Sequence, residues 1–350
     1  MDRVKGVDVK EPGYGFKLAE EGGTERYRGT EFDVRAVVAR IPHEVKDQLR
    51  YDEVPWSRFG HFHGAADDVP GLLADVRSGD VGTADRALGV LWNRMFHQGS
   101  VYSAVALAVP FLVRIAADLP AYRRVEVLQL VAKAGRRPHD GDSSRTGLLQ
   151  TAYQAGEWYF DPWAYPQNWS VEAVQDAIAA DAQLLLPLLD DPGSEVRRTA
   201  CHVLAASPGQ VRRISAALHG RLGAEDVPEV RVSLVLAIAE LARGHREERL
   251  AVEWVRAMWS DPAQAAELRL GAAIAWLCLV DGPVPGELSA VFDDTVTEEM
   301  SAVMERVPWI MTRIPWMQET PDDAPGLGFS RCLAQLLGTY TPQPPQDDFW

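Results

Sequence analysis

Three groups of side chains in this sequence have types and spacings that can do chemistry. The first is His61 and His63, followed by Asp67 and Asp68, with His97 further on. Two imidazoles one residue apart in a loop can meet a single metal ion, but zinc sites take three or four protein ligands and the sequence fixes no third. Aromatic packing or a polar cap is the expected role of this group, and no metal or cofactor is expected. The second group is His97, Gln98 and Tyr102, at a polar break between apolar stretches. These residues either satisfy the broken backbone or face a ligand. The third is the run from Glu157 to Trp169, where six aromatics fall within thirteen residues together with Asp161 and two prolines. Tryptophan faces attract cations. A carboxylate held among indoles has a raised pKa and can exchange a proton.

Under a catalytic reading, Glu157, Asp161 and His97 are the acid–base candidates. The candidate ligand-binding residues are Trp158, Tyr159, Trp163, Trp169, Gln98, Tyr102, Trp56 and Trp309. The alternative for the aromatic run is a loop that covers the outside of the helical body, since so many exposed aromatics are costly unless they bury something. The common nucleotide, phosphate, nucleophile and zinc motifs are all absent: there is no Gly-x-Gly-x-x-Gly, phosphate-loop lysine, Gly-x-Ser-x-Gly, His-Glu-x-x-His or paired Cys-x-x-Cys.

The elements that must position these groups are helices in repeat. An acid, a branched apolar residue and an arginine recur as Glu195-Val196-Arg197, Glu229-Val230-Arg231 and Glu267-Leu268-Arg269, at spacings of 34 and 38 residues. An Asp and a Pro stand just upstream of each, at Asp191-Pro192, Asp226 to Pro228 and Asp261-Pro262, and are read as helix starts. Apolar residues then follow at helical spacing, as in Val196, Ala200, Val203 and Leu204. One helix pair per period of this length is the sign of an α-solenoid. The repeated Glu and Arg are expected to pair between adjacent repeats as a ladder. Weaker repeat signals run from Val69 to Gly135, with Pro70 and Pro110 read as equivalent helix starts.

The Asp-Pro-x-x-x-Val-Arg-x-x-Ala pattern of Asp191-Pro192, Val196-Arg197 and Ala200 resembles HEAT repeats, over roughly residues 68–282. The stretch from Trp92 to Phe111 is similar to a motif of uncharacterised actinobacterial HEAT-type proteins, from which no activity carries over. The resemblance implies an all-α, HEAT-like α-solenoid of antiparallel helix pairs. Residues 1–53 form an irregular N-terminal arm, and 54–340 a single repeat domain interrupted by an aromatic-rich loop insertion at 136–169. A divergent cap follows at 283–340, and a flexible tail at 341–350.

Charge and composition narrow the function. Net charge is −15, with five lysines among 35 basic residues, and residues 1–50 are balanced, so the excess lies beyond them. Such a surface repels phosphate backbones and suits a basic partner, which makes nucleic acid unlikely. No apolar run reaches membrane-spanning length, and Met1 to Arg50 lacks a signal-peptide core, so a cytoplasmic protein is expected. Cys201, Cys278 and Cys332 read as small core residues in a reducing compartment. The leading expectation is a binding or scaffold module that holds a protein or peptide partner on the concave face. The alternative is a secondary-metabolism enzyme whose aromatic pocket takes a small aromatic or cationic ligand; it requires Trp158, Trp163, Glu157, Asp161 and His97 to converge on one cavity. A HEAT-like DNA glycosylase is a minor third, and it needs a basic groove.

Overall fold

Helices whose residues are apolar on every side must be covered on every side, and two such helices organise this fold. Of helix Pro228–Ala242 only Pro228 and Arg231 escape burial, and helix Ala266–Leu279 is buried from Glu267 to Leu279 apart from Arg269. The computed structural model describes residues 16–18, 29–97, 99–118, 121–137, 143–154, 156–310 and 328–340. Gln98 and the tail at 341–350 lie outside the described residues.

In chain order, strand β1 (Phe16–Leu18) precedes helices α1 (Val34–Arg40) and α2 (His43–Asp47). The small hairpin β2 (Gly60–His61) and β3 (Gly64–Ala65) leads to α3 (Val69–Val76) and α4 (Val81–Met95). A second hairpin, β4 (Phe96–His97) and β5 (Ser100–Val101), leads to α5 (Ser103–Asp118) and α6 (Ala121–Ala134). Strand β6 (Trp158–Phe160) is followed by α7 (Gln167–Ala180) and α8 (Ala182–Leu185). The repeat region supplies α9 (Ser194–Ala205), α10 (Val211–Leu222), α11 (Pro228–Ala242), α12 (Glu248–Ser260) and α13 (Ala266–Leu279). Helices α14 (Gly286–Thr295), α15 (Glu298–Met304) and α16 (Phe329–Leu336) complete an all-α architecture.

Helices α6, α9, α11 and α13 pack side by side in that order, while α10 lies against α11 and α12 against α13. Gly271 brings α13 close to α11: a Cβ there would stand 3.2 Å from the Val232 side chain, tighter than ordinary contact. The opposite sides of α11 and α13 are covered by α15 and α16. Trp309 adds its indole to this cover, its ring tilted against His202 with centroids 4.5 Å apart and its N–H donating to Glu240. The chain's own C-terminal segment therefore packs over part of α11 and α13.

The repeated Glu and Arg pair with each other only at Arg231 and Glu267 among the described residues, and the other repeated arginines take different acids. Arg197 grips Glu225 through two hydrogen bonds of 2.8 and 2.9 Å. Arg231 bonds Glu267 of the next repeat, Arg269 reaches Asp294 at 4.0 Å, and Arg124 bonds Asp191 one step upstream. Burial alone would raise the Glu225 carboxyl, but hydrogen bonds from Arg197 and Arg221 outweigh it and hold its pKa at about 2. The upstream aspartates turn the chain rather than cap it: Asp191 accepts from the Gly193 amide and Asp261 from the Ala263 amide, and the helices start later, at Ser194 and Ala266. Pro110 falls inside α5 rather than opening a helix.

Two expected boundaries shift. Val34, Val38 and Val45 are core residues, so the helical body reaches back through α1 and α2 into the stretch read as an arm. Of the earlier part, β1 lies antiparallel along β6, and residues 1–15 and 19–28 lie outside the described residues. Arg136 opened the expected insertion loop, yet it is buried and bonded to Glu240 and to the carbonyls of Ala132 and His202. At the other end of that loop, Trp169 already belongs to α7.

Candidate functional site

The aromatic run divides around β6 instead of lining one cavity. On one side lies a pocket of about 230 Å³, lined by Tyr153, Glu157, Trp158, Asn168, Glu172 and Gln175 among others. Helix α7 contributes Asn168, Glu172 and Gln175, which recur at helical spacing and so share a face. Asn168 fixes the approach of the strand by donating to the Glu157 carbonyl and accepting from the Tyr159 amide. Tyr159 stacks on Tyr153 at 4.8 Å. Arg35, whose guanidinium lies 4.5 Å from the Trp169 ring, bonds Glu172 at 2.7 Å on the rim. Carboxylates and aromatic rings together make a wall that suits a cation.

On the other side the chain turns at Asp161. One carboxylate oxygen of Asp161 accepts the amides of Trp163 and Tyr165, each at 2.9 Å. The turn holds Ala164 in the left-handed region, at φ 63°. The second oxygen is buried and takes no hydrogen bond among the described residues, and the same is true of the Tyr102 hydroxyl. Desolvation pushes the Asp161 pKa up to about 6, against the pull of the two amides. Burial, reinforced by the Asp161 charge, likewise raises the Tyr102 phenol.

Around this pair stand the two hairpins. His61 is buried, with Nε2 2.9 Å from Asp68 and Nδ1 accepting the His63 amide. Both ring nitrogens are thus engaged by protein, and Asp68 also meets Arg94. Burial first, then the Arg94 charge, lowers the His61 pKa. Phe62 stacks on His97 at 3.5 Å and meets Tyr102 edge-on at 6.4 Å. Among the described residues no group of three or more His, Cys, Asp or Glu side chains is placed to hold a metal.

The remaining candidates serve packing. Trp56 is buried against Phe111 and donates to the Tyr51 carbonyl at 2.7 Å. Trp309 is sealed beneath the C-terminal cover, bonded to Glu240. Tyr165 anchors the start of α1, its hydroxyl accepting from the Val34 amide and donating to the Phe32 carbonyl. Of the run's aromatics Trp163 alone is half exposed. Glu157 and Trp158 line the pocket, whereas Asp161, Trp163 and His97 are not in its wall, so the five residues required by the enzyme alternative do not share one cavity. Tyr153, Glu172 and Gln175 were missed. Tyr153 precedes the aromatic run, and the α7 pair was legible only as a helical face.

The chain matches no protein-family model and no curated protein. No helix among the described residues is long and apolar enough to cross a membrane.

Proposed function

We propose that the chain is a HEAT-like α-solenoid that works as a binding module for a basic protein or peptide, taking a lysine or arginine side chain of that partner into the pocket beside α7. The observation that carries this reading is the pocket wall itself, where Glu157 and Glu172, the latter shared with Arg35 on the rim, stand with Trp158 and Tyr153 on a chain of net charge −15. Its volume of about 230 Å³ is below the roughly 300–1,000 Å³ usual for small-molecule sites and suits a single side chain. Helices α15 and α16 and Trp309 pack on α11 and α13, which leaves less of those helices open to a partner than a bare solenoid would have. The arginines that would form a basic groove for nucleic acid are tied to Asp191, Glu225 and Glu267, which disfavours the glycosylase reading.

The test is fluorescence anisotropy with labelled lysine- and arginine-rich peptides against acidic peptides of equal length. Basic peptides are expected to bind, more weakly as salt rises, and Trp158→Ala or Glu172→Gln is expected to weaken them about tenfold, the loss of one cation–π or charge contact. Equal binding of acidic peptides, or affinity unchanged in both variants, would sink the proposal.

A further inference from the structure

Beyond β6 from that pocket, the turn at Asp161 has its own unfinished chemistry. Asp161 is 1% exposed and Tyr102 is wholly buried, yet the outward oxygen of the carboxylate and the phenol hydroxyl both take no hydrogen bond among the described residues. Buried polar atoms in folded proteins are almost always paired. Gln167 ties the two stretches together, accepting from the Val101 amide beside Tyr102 and donating to the Phe160 carbonyl beside Asp161. The two unpaired atoms therefore mark one place built for something else. They belong to different parts of the chain, Tyr102 at the start of α5 and Asp161 after β6. Neither is an accident of one loop.

The surroundings define the chemistry. Phe62, stacked on His97, presents its edge to Tyr102. Trp163 follows Asp161 by two residues, lies against Gly60 and donates to the His61 carbonyl at 3.0 Å. Half of the Trp163 surface is exposed, so it is the outer wall. An anion would be repelled by the Asp161 carboxylate. A cation gains from both the carboxylate and the aromatic faces. An ammonium carries three donors and no acceptor, so it can give one hydrogen to Asp161 and one to the lone pairs of Tyr102. Full enclosure of both polar atoms favours a compact head over a quaternary one.

We propose that Asp161 and Tyr102 form a binding site for a small primary ammonium group, screened from solvent by Trp163 and by the stacked Phe62 and His97. The site stands apart from the α7 pocket and does not depend on it. The charged and titratable groups around it are His61 and His63 on one hairpin, Asp68 before α3, which bonds His61 and meets Arg94 of α4, and His97 on the other hairpin.

The experiment is calorimetric titration of the full chain with n-butylammonium chloride, with butanol and tetramethylammonium chloride as probes of charge and head size. Saturable binding of one butylammonium is expected, with butanol and tetramethylammonium at least tenfold weaker. Asp161→Asn keeps the oxygen that accepts the Trp163 and Tyr165 amides and removes the charge, and it is expected to cost at least tenfold in affinity. Tyr102→Phe is expected to cost several-fold. A readout on the unaltered chain needs no variant to fold: affinity for butylammonium falls as pH drops below about 6 and Asp161 takes up a proton. No saturable binding to the unaltered chain, butanol binding as well as butylammonium, a flat pH profile, or unchanged affinity in Asp161→Asn would each overturn the assignment.

Discussion

Without ligand, the same carboxylate makes the protein less stable as pH rises, and the size of that effect follows from its burial. The perturbation is Asp161→Asn. The folded-state pKa of Asp161 stands at about 6 against an ordinary value of 3.8, and each unit of difference is worth about 1.4 kcal/mol, giving about 3 kcal/mol in all. Because the folded value lies above the unfolded one, the native state binds the extra proton. The stabilisation is fully present below about pH 4 and is lost as pH rises through about 6. At 1% exposure no solvent screening reduces the figure. In Asp161→Asn the amide oxygen still accepts the Trp163 and Tyr165 amides, while the added N–H₂ contributes a constant term of about 1–3 kcal/mol if it finds no acceptor. That term shifts the variant's stability without changing its slope. Urea unfolding at constant ionic strength from pH 4 to pH 8 therefore gives a difference, parent minus variant, that falls by about 3 kcal/mol across the range. A difference that stays flat within about 0.5 kcal/mol would show that Asp161 is solvated, and would remove the desolvation argument with it.

Glu225→Gln leaves Arg197 buried without its charged partner and is expected to destabilise by about 3–5 kcal/mol, read as a lower urea midpoint. The folded pKa of Glu225 is depressed, so its stabilisation is present above about pH 4.5 and is lost as pH falls through about 2; a loss below about 1 kcal/mol at pH 7 would mean the pair with Arg197 is an exposed ornament. Trp309→Phe leaves a smaller aromatic ring and removes the donor to buried Glu240, with an expected cost of at least about 1–3 kcal/mol; a wild-type melting temperature would show that the C-terminal cover does not rest on this contact. Burial raises the thiols of Cys201 and Cys278 and lifts Cys332 to about 11. All three should react with a disulfide reagent only after urea unfolding, and fast labelling of the native chain would contradict their placement.

What could be read in the sequence was whatever repeats or stays local. Arg197, Arg231 and Arg269 each reach an acid further along the chain, Glu225, Glu267 and Asp294, and their recurrence in sequence was visible before any contact was known. The acid that answers was less regular, because the first arginine takes Glu225 in the connecting turn while Glu229, the repeat's own acid, meets Arg306 instead. The expectation of an open face for a partner missed what α11 itself says: a stretch such as Val232-Ser233-Leu234-Val235-Leu236-Ala237-Ile238-Ala239 has no polar side to give to a partner, and α15 and Trp309 pack over it. Its closure by Trp309 was not legible, since nothing near Trp309 names Glu240. The aromatic run shows the same division. Asp161-Pro162 announces a turn, and the carboxylate does accept the amides that follow it. But a turn-forming aspartate has two oxygens, and only the fold decides where the second one points. That it points into apolar surroundings shared with Tyr102, rather than to water, converts a common turn residue into a carboxylate that can hold a cation.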